Sequence, residues 1–285
     1  MQVASYYKIA DLNLRISGCD MLVGFSKFET AQHSDIDIDI KCGCTDITVF
    51  ATELNRFVVD NVAYVFSRYD KGYIFRLVEK DNRTTSLRYD QDSNTVMIES
   101  CENRQKLQFM LWVAFSLVAI NHGVVPIHSS VVVYQGDAIL FLGESSAGKS
   151  TQSRLWLEHI KATSLLNDDS PILRIVNGDL MVYGSPWSGK TPCYINEHYR
   201  AKAFVRVVKF EQSIIEQNDT IHSFAALYPS LPPMFAYDQV LNNKLIRFTS
   251  DIIPLAATYT LRCTKEQDAV QTTFSELYGK NNHPE

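Results

Sequence analysis

The stretch that most restricts how this chain can fold is Gly143-Glu144-Ser145-Ser146-Ala147-Gly148-Lys149-Ser150-Thr151, which fits the phosphate-loop (Walker A) pattern G-x-x-x-x-G-K-[ST]. Such a pattern carries meaning only between a strand and a helix, and both flanks comply. Asp137 to Leu142 is a β-prone apolar run, and Gln152 to Ile160 reads as a helix carrying Leu155, Trp156 and Ile160. In a turn of this kind the glycines let several backbone N–H groups face one anion, while the helix N-terminus adds partial positive charge. Lys149 is then expected to reach the β- and γ-phosphates of ATP, and the Ser150 hydroxyl to ligate Mg²⁺. Residues 143 to 151 form the expected nucleotide-binding set.

A partner of a different kind is excluded by charge. Against 32 Asp and Glu the chain has 27 Lys and Arg, a net charge of −5, and no basic run that could neutralise a row of phosphates, so nucleic acid is not expected. Met1 to Leu12 has no apolar core long enough for a secretory signal, which points to the cytosol. The cysteines at 19, 42, 44, 101, 193 and 263 include no C-x-x-C pair and read as buried thiols rather than disulfides or a zinc site.

Residues 6 to 100 consist of short alternating runs broken by polar turns: Leu12 to Ile16, Met21 to Phe25, Ile36 to Ile40, Ile47 to Ala51, Ala63 to Ser67, Tyr73 to Val78, Thr85 to Tyr89 and Thr95 to Ile98. This spacing predicts an antiparallel β domain over residues 1–102. Asp35, Asp37 and Asp39 alternate as in a calcium loop, but the sixth position of that loop must be Gly and is here Ile40. One apolar and one solvated strand face is the better account. Leu107 to Ile120 is an apolar run too short to cross a bilayer, so no membrane is expected. It reads as a helix buried between the two domains and ending at Asn121-His122-Gly123, with the second domain taken over residues 103–285.

After the loop helix, Ala162 to Leu166 reads as a short strand ending in Asn167-Asp168-Asp169. Carboxylates in this place hold Mg²⁺ in phosphate-loop proteins, and a pair permits one to bind the metal while the other accepts a proton. Asp-Asp-Ser-Pro is also good turn chemistry. Downstream, Gly184-Ser185-Pro186-Trp187-Ser188-Gly189-Lys190-Thr191-Pro192 is a shaped loop whose Lys190 is a candidate clamp for a phosphate or an acidic acceptor.

Together, His128, the loop 143–150 and the Asp168-Asp169 pair resemble the catalytic domain of HPr kinase/phosphorylase, a group that shares its nucleotide-binding core with phosphoenolpyruvate carboxykinases. The histidine stands 149 − 128 = 21 residues before the lysine, as in that family. The resemblance implies that His128 holds an aspartate carboxylate, and that this aspartate is the base toward an acceptor hydroxyl. Two departures stand out. The family's glycine-rich signature after the aspartates has no match, and residues 1–102 do not resemble its N-terminal domain. Gly184 to Lys190, with Pro254-Leu255 and Tyr259 to Cys263, is more similar to uncharacterised HPr-kinase-like bacterial proteins, some acting on peptides or free serine.

The expected class is α+β: a β-rich N-terminal domain followed by an α/β phosphate-loop kinase domain of the HPr kinase/phosphoenolpyruvate carboxykinase type. The expected activity is ATP- and Mg²⁺-dependent phosphorylation of a hydroxyl on a protein, peptide or small molecule, with Asp168, Asp169, His128 and Lys149 catalytic and Ser150, Asp168 and Asp169 at the metal. Two alternatives remain open, a nucleotide-binding regulator with little turnover and a carboxykinase-like lyase. The sequence leaves the acceptor open, and also the oligomeric state, a homo-oligomer included.

Overall fold

The computed structural model describes residues 4–19, 22–45, 47, 49–189 and 191–279. Its architecture is mixed α/β, in two compact units: Met1–His122 with Met234–Asn242, and Gly123–Pro233 with Asn243–Glu285.

The first unit is built on one sheet. Its strands are β1 (Ala4–Ile9), β2 (Leu12–Ser17), β3 (Ile38–Cys44), β4 (Thr52–Val59), β5 (Val62–Tyr69), β6 (Gly72–Val78), β7 (Thr84–Asp90) and β8 (Thr95–Glu99), in the order β1-β2-β3-β8-β7-β6-β5-β4. Ala10-Asp11 and Asp60-Asn61 have positive φ at both positions, the two-residue turn geometry whose twist matches the strands it joins. The sheet is not antiparallel throughout. β3 runs parallel to both β2 and β8, because the long connection over residues 18–37 returns the chain to the end where β2 began.

Two expected strands are replaced. Met21 lies outside the described residues, and Phe25–Phe28 is a short 3₁₀ turn that buries both phenylalanines. The strand expected at Ile47 to Ala51 stands instead at β4, in register with β5 through the Asp60-Asn61 turn. As an edge strand with mostly exposed side chains, β4 lacks the alternation that reveals a strand in sequence. The acidic alternation at 35–39 serves pairing between strands: Asp39 meets Arg15 of β2 at 2.6 Å, and an Asp37 oxygen accepts from the Asn13 backbone N–H at 2.8 Å.

Helix α1 (Arg104–Ala119) starts at Asn103, whose side chain accepts from the Lys106 N–H, and the chain leaves it through Gly123 at φ 67°. It packs on β3 and β7, so the division between units falls after His122 rather than after Glu102. The segment 234–242 is anchored in this unit by Asp238, which is 3 % exposed. Asp238 accepts from the Tyr73 hydroxyl at 2.8 Å, from Arg68 at 2.7 Å and from the Val240 and Leu241 N–H groups at 3.0 Å.

The second unit contains β9 (Val124–Pro126), β10 (Ser130–Tyr134), β11 (Asp137–Leu142), α2 (Lys149–His159), β12 (Ser164–Asn167), β13 (Ile172–Val176), β14 (Asp179–Tyr183), β15 (His198–Lys209), β16 (Ile214–Gln217), α3 (Thr220–Leu227), most of α4 (Gln239–Ile252), β17 (Ala257–Cys263) and α5 (Gln267–Tyr278). The sheet order is β12-β10-β11-β15-β14-β13-β9, with β17 on the second half of β15 and β16 beyond it. Only β11–β15 and β15–β17 are parallel, and they form the centre from which the loop after β11 emerges. Helices α2 and α5 cover this centre through Trp156 and Phe274, which pack on Phe141, Val205 and Leu261. Burying an aromatic side chain of that size stabilises by about 1.5–3 kcal/mol, so α2 is held rigidly beneath the loop it follows. Among the described residues no helix is long and apolar enough to cross a membrane.

Candidate functional site

The loop 143–148 joins the C-terminal end of β11 to the N-terminus of α2, and its shape is dictated by two glycines. Gly143 has φ 146°, and a Cβ there would lie 2.9 Å from the Ala147 Cβ and 3.2 Å from the Val207 carbonyl oxygen. Gly148 caps α2 at φ 116°, a region side-chain-bearing residues rarely adopt. Between them Ser146 is left-handed, and the Ala147 N–H donates to the Glu144 carbonyl at 3.1 Å. Glu144, Ser145 and Ser146 are exposed, while Ser150 and Thr151 occupy the first turn of α2, the former exposed and the latter half-buried. The helix therefore begins three residues before Gln152, and its first turn belongs to the site.

Lys149 folds back over this loop, donating to the Gly143 carbonyl at 2.9 Å and the Glu144 carbonyl at 3.1 Å. Burial lowers its pKa, opposed by the negative charges of Asp169 and Asp168, which lie close enough to be felt. The loop lysine and the aspartate pair thus share one electrostatic neighbourhood.

The two aspartates have different surroundings. Asp168 is buried; its Oδ1 accepts from the Ser130 hydroxyl at 2.6 Å, and that hydroxyl lies 2.6 Å from the Ser153 hydroxyl on α2. A chain of hydroxyls thereby connects the loop helix to the carboxylate. Asp169 is more open, with 40 % of its side chain exposed, and its Oδ1 stands 3.6 Å from His128 Nδ1. Even so, partial burial raises the Asp169 pKa from its ordinary 3.8. His128 and Lys149 act against that rise, and Asp168 adds to it. His128 is shifted the other way, below 6.5, by burial and then by Lys149, with both aspartates opposing. Burial thus opposes charge on both members of the pair, while each partner's charge favours that of the other.

Backbone pairing holds these side chains in place. The Ser129 N–H donates to the Asp169 carbonyl at 3.1 Å and the Ile127 N–H to the Pro171 carbonyl at 2.9 Å, so His128 runs alongside the aspartates. Asn167, fully buried at the end of β12, shapes the turn itself. Its Oδ1 accepts from the Asp169 N–H at 2.9 Å and the Ser170 N–H at 2.8 Å. Its Nδ2 donates to the Ser185 hydroxyl at 3.2 Å and the Trp187 carbonyl at 3.0 Å. Through Asn167 the loop from Gly184 is tied to the aspartates, and a Cβ at Gly189 would come within 2.9 Å of the Asp168 carbonyl oxygen. Lys190 lies outside the described residues.

The site thus unites His128, Asp168, Asp169 and Lys149 with the 143–151 loop, all within the second unit. Sequence reasoning did not single out Ser130, Ser153, Asn167 or Gly189. Asn167 carried a signal, since Asn two residues before a turn can bond to its backbone. The serines carried none, because their meeting depends on strand pairing. Among the described residues no group of three or more His, Cys, Asp or Glu is placed to hold a metal unaided. Mg²⁺ needs no such cage, being held by one or two carboxylates together with phosphate oxygens.

The fold and site define a mixed α/β protein with a glycine-shaped loop, a lysine and a histidine-supported carboxylate pair. No protein-family model matches the chain, and neither does any curated protein sequence. Among solved structures it is similar to the Hpr(Ser) kinase/phosphatase from Coxiella burnetii, with a TM-score of 0.32 and 13% identity, covering 53% of this chain and 93% of that one. So distant a likeness fixes neither fold nor activity.

Proposed function

We propose that the second unit is an ATP- and Mg²⁺-dependent kinase that phosphorylates a hydroxyl acceptor. The observation that supports this reading best is the meeting of a half-buried loop lysine with a His–Asp pair at the N-terminus of α2. The cradle fits a phosphate chain, because Gly143 and Gly148 allow the tight positive-φ turn that brings the loop to the N-terminus of α2, where backbone N–H groups favour an anion. Mg·ATP, when bound, supplies the phosphoryl group and the cation that neutralises its oxygens.

The residues divide the remaining work. Lys149 leaves the Gly143 and Glu144 carbonyls and places its charge on phosphate oxygens. Asp168, whose Oδ1 accepts from Ser130, and the Ser150 hydroxyl would hold the cation. Asp169 takes the acceptor's proton, and its raised pKa makes it a stronger base than an ordinary aspartate. His128 orients that carboxylate. The loop from Gly184, tied to the aspartates by Asn167, borders the place where an acceptor would lie.

Incubation with γ-labelled ATP, Mg²⁺ and candidate acceptors, free serine and small proteins among them, tests the reading directly. Label transfer that disappears in Asp169→Asn is the expected result. Calorimetry showing no binding of Mg·ATP to the intact chain would overturn it.

A further inference from the structure

Four of the six cysteines gather at one place in the first unit, remote in sequence from the phosphate loop. β2, β3 and β8 are parallel neighbours, and their C-terminal ends carry Cys19, Cys42 with Cys44, and Cys101 respectively. Ser17, the last residue of β2, pairs with Lys41, so Cys42 follows that pair by one residue within β3 and Cys19 follows it by two, just past the end of β2. Cys42 is buried, whereas the other three are half-buried.

The four thiols are not equivalent. Cys44 donates to the Lys41 carbonyl at 3.3 Å and Cys101 to the Asn103 carbonyl at 3.4 Å, each turned onto backbone. Cys42 is hydrogen-bonded to Cys19, and the charges of Cys44 and Cys101 also act on it. The hydrogen bond to Cys19, followed by burial, raises the Cys42 pKa and keeps that thiol protonated. Because the described residues include no group of three placed to hold a metal, the arrangement favours pairing over chelation.

We infer that Cys19 and Cys42 form an oxidisable dithiol that closes to a disulfide when the protein meets a peroxide. The half-buried Cys19 sulfur attacks one peroxide oxygen, forming an S–O bond and breaking the O–O bond; the sulfenic acid results, and the leaving oxygen takes the thiol's proton and departs as water. Cys42 then attacks the Cys19 sulfur, the S–O bond breaks, and a second water leaves with the Cys42 proton. Two thiols and one hydrogen peroxide become one disulfide and two waters. The new bond fastens the end of β2 to β3 and closes the segment between them.

The test is graded hydrogen peroxide on the reduced, intact chain, followed by peptide mass mapping without reductant. The expected product is a Cys19–Cys42 linkage, two hydrogens lighter, forming before any change at Cys193 or Cys263. In Cys42→Ser, Cys19 should stop at a sulfenic acid that dimedone captures, and in Cys19→Ser, Cys42 should resist peroxide. If these variants fail to fold, wild-type alkylation replaces them, with iodoacetamide expected to label Cys19 before Cys42. The inference is overturned if Cys44 or Cys101 enters the first disulfide, if Cys42 is alkylated first, or if the reduced protein carries a stoichiometric zinc ion that blocks oxidation.

Discussion

His128 Nδ1 stands 3.6 Å from Asp169 Oδ1, while the neighbouring Asp168 turns away to the Ser130 hydroxyl. One carboxylate is thus supported by an imidazole and open to solvent, and the other is buried against α2. This asymmetry is the ground on which the proposed mechanism gives the two aspartates different roles.

Exchange of each aspartate for asparagine should therefore fail in its own way. Asp169→Asn keeps the side-chain size but accepts no proton near neutrality, so Mg·ATP affinity should persist while turnover falls by about 10²-fold to 10⁴-fold. Asp168→Asn retains an oxygen for Ser130 but loses charge, so its Mg²⁺ half-saturation should rise. Steady-state kinetics with Mg²⁺ titration separates the two, and equal effects of both on Mg²⁺ would contradict the assignment.

The pH profile follows from the same pair. Because the Asp169 pKa is raised above 3.8, activity should fall on the acid side at a pH higher than an ordinary aspartate would give, and this limb should vanish in Asp169→Asn. Stability has the opposite sign. A carboxyl whose folded pKa is raised stabilises the fold only while protonated, and that contribution is lost as pH rises through the folded pKa. Thermal unfolding at neutral pH should accordingly show Asp169→Asn at least as stable as wild type, and a marked loss would mean that its charge is structural.

Among the described residues Lys149 hydrogen-bonds to carbonyls of its own loop, so its removal should leave the fold intact. Lys149→Ala should lose about 10²-fold to 10³-fold in turnover, the loss typical of one group that stabilises transition-state charge. Unchanged ATP affinity and unchanged turnover would remove the loop from the mechanism.

Much of this site was legible because it is local. The strand Asp137–Leu142, the glycine loop and the helix after it follow one another in sequence, and the strand has the expected bounds. The Asp pair was noticed from its place at the end of a strand, but His128 required a resemblance, since its meeting with the pair depends on backbone pairing between residues 127–129 and 169–171. The mixed sheet of the first unit was not legible. Whether β3 joins β2 parallel or antiparallel depends on the path of residues 18–37, which hydrophobic alternation does not record. Helix α1 was visible as a helix, but its unit was decided by packing on β3 and β7.

Asn167 offers a test of how the acceptor loop is held. Asn167→Ala deprives the Asp169 and Ser170 N–H groups of their acceptor and should destabilise the second unit by about 1–3 kcal/mol. Asn167→Asp still accepts from those N–H groups but loses the donors to Ser185 and Trp187. Its KM for an acceptor should rise more than its KM for ATP. Equal changes in both would mean that the loop from Gly184 does not border the acceptor.

The last prediction concerns Asp238 of the first unit. Asp238 is a buried carboxylate with a polar partner on several sides, and it lies just before α4, whose first turns it caps. Burial by itself would raise its pKa, but the Leu241 N–H, the Tyr73 hydroxyl and Arg68 together hold it below 3.8. Asp238→Ala would leave the buried Tyr73 hydroxyl without its acceptor, at about 1–3 kcal/mol, and remove a helix cap worth about 1 kcal/mol. Arg68, with 45 % of its side chain exposed, can return to water, so its lost pairing adds little. The sum is about 2–4 kcal/mol. Because the folded pKa is depressed, the carboxylate's contribution is present above the unfolded value and is lost as pH falls through the folded one. Urea unfolding of wild type and Asp238→Ala at neutral pH and at low pH should therefore show a large difference that narrows on acidification. A difference that stayed constant with pH would assign the effect to packing rather than to the charge.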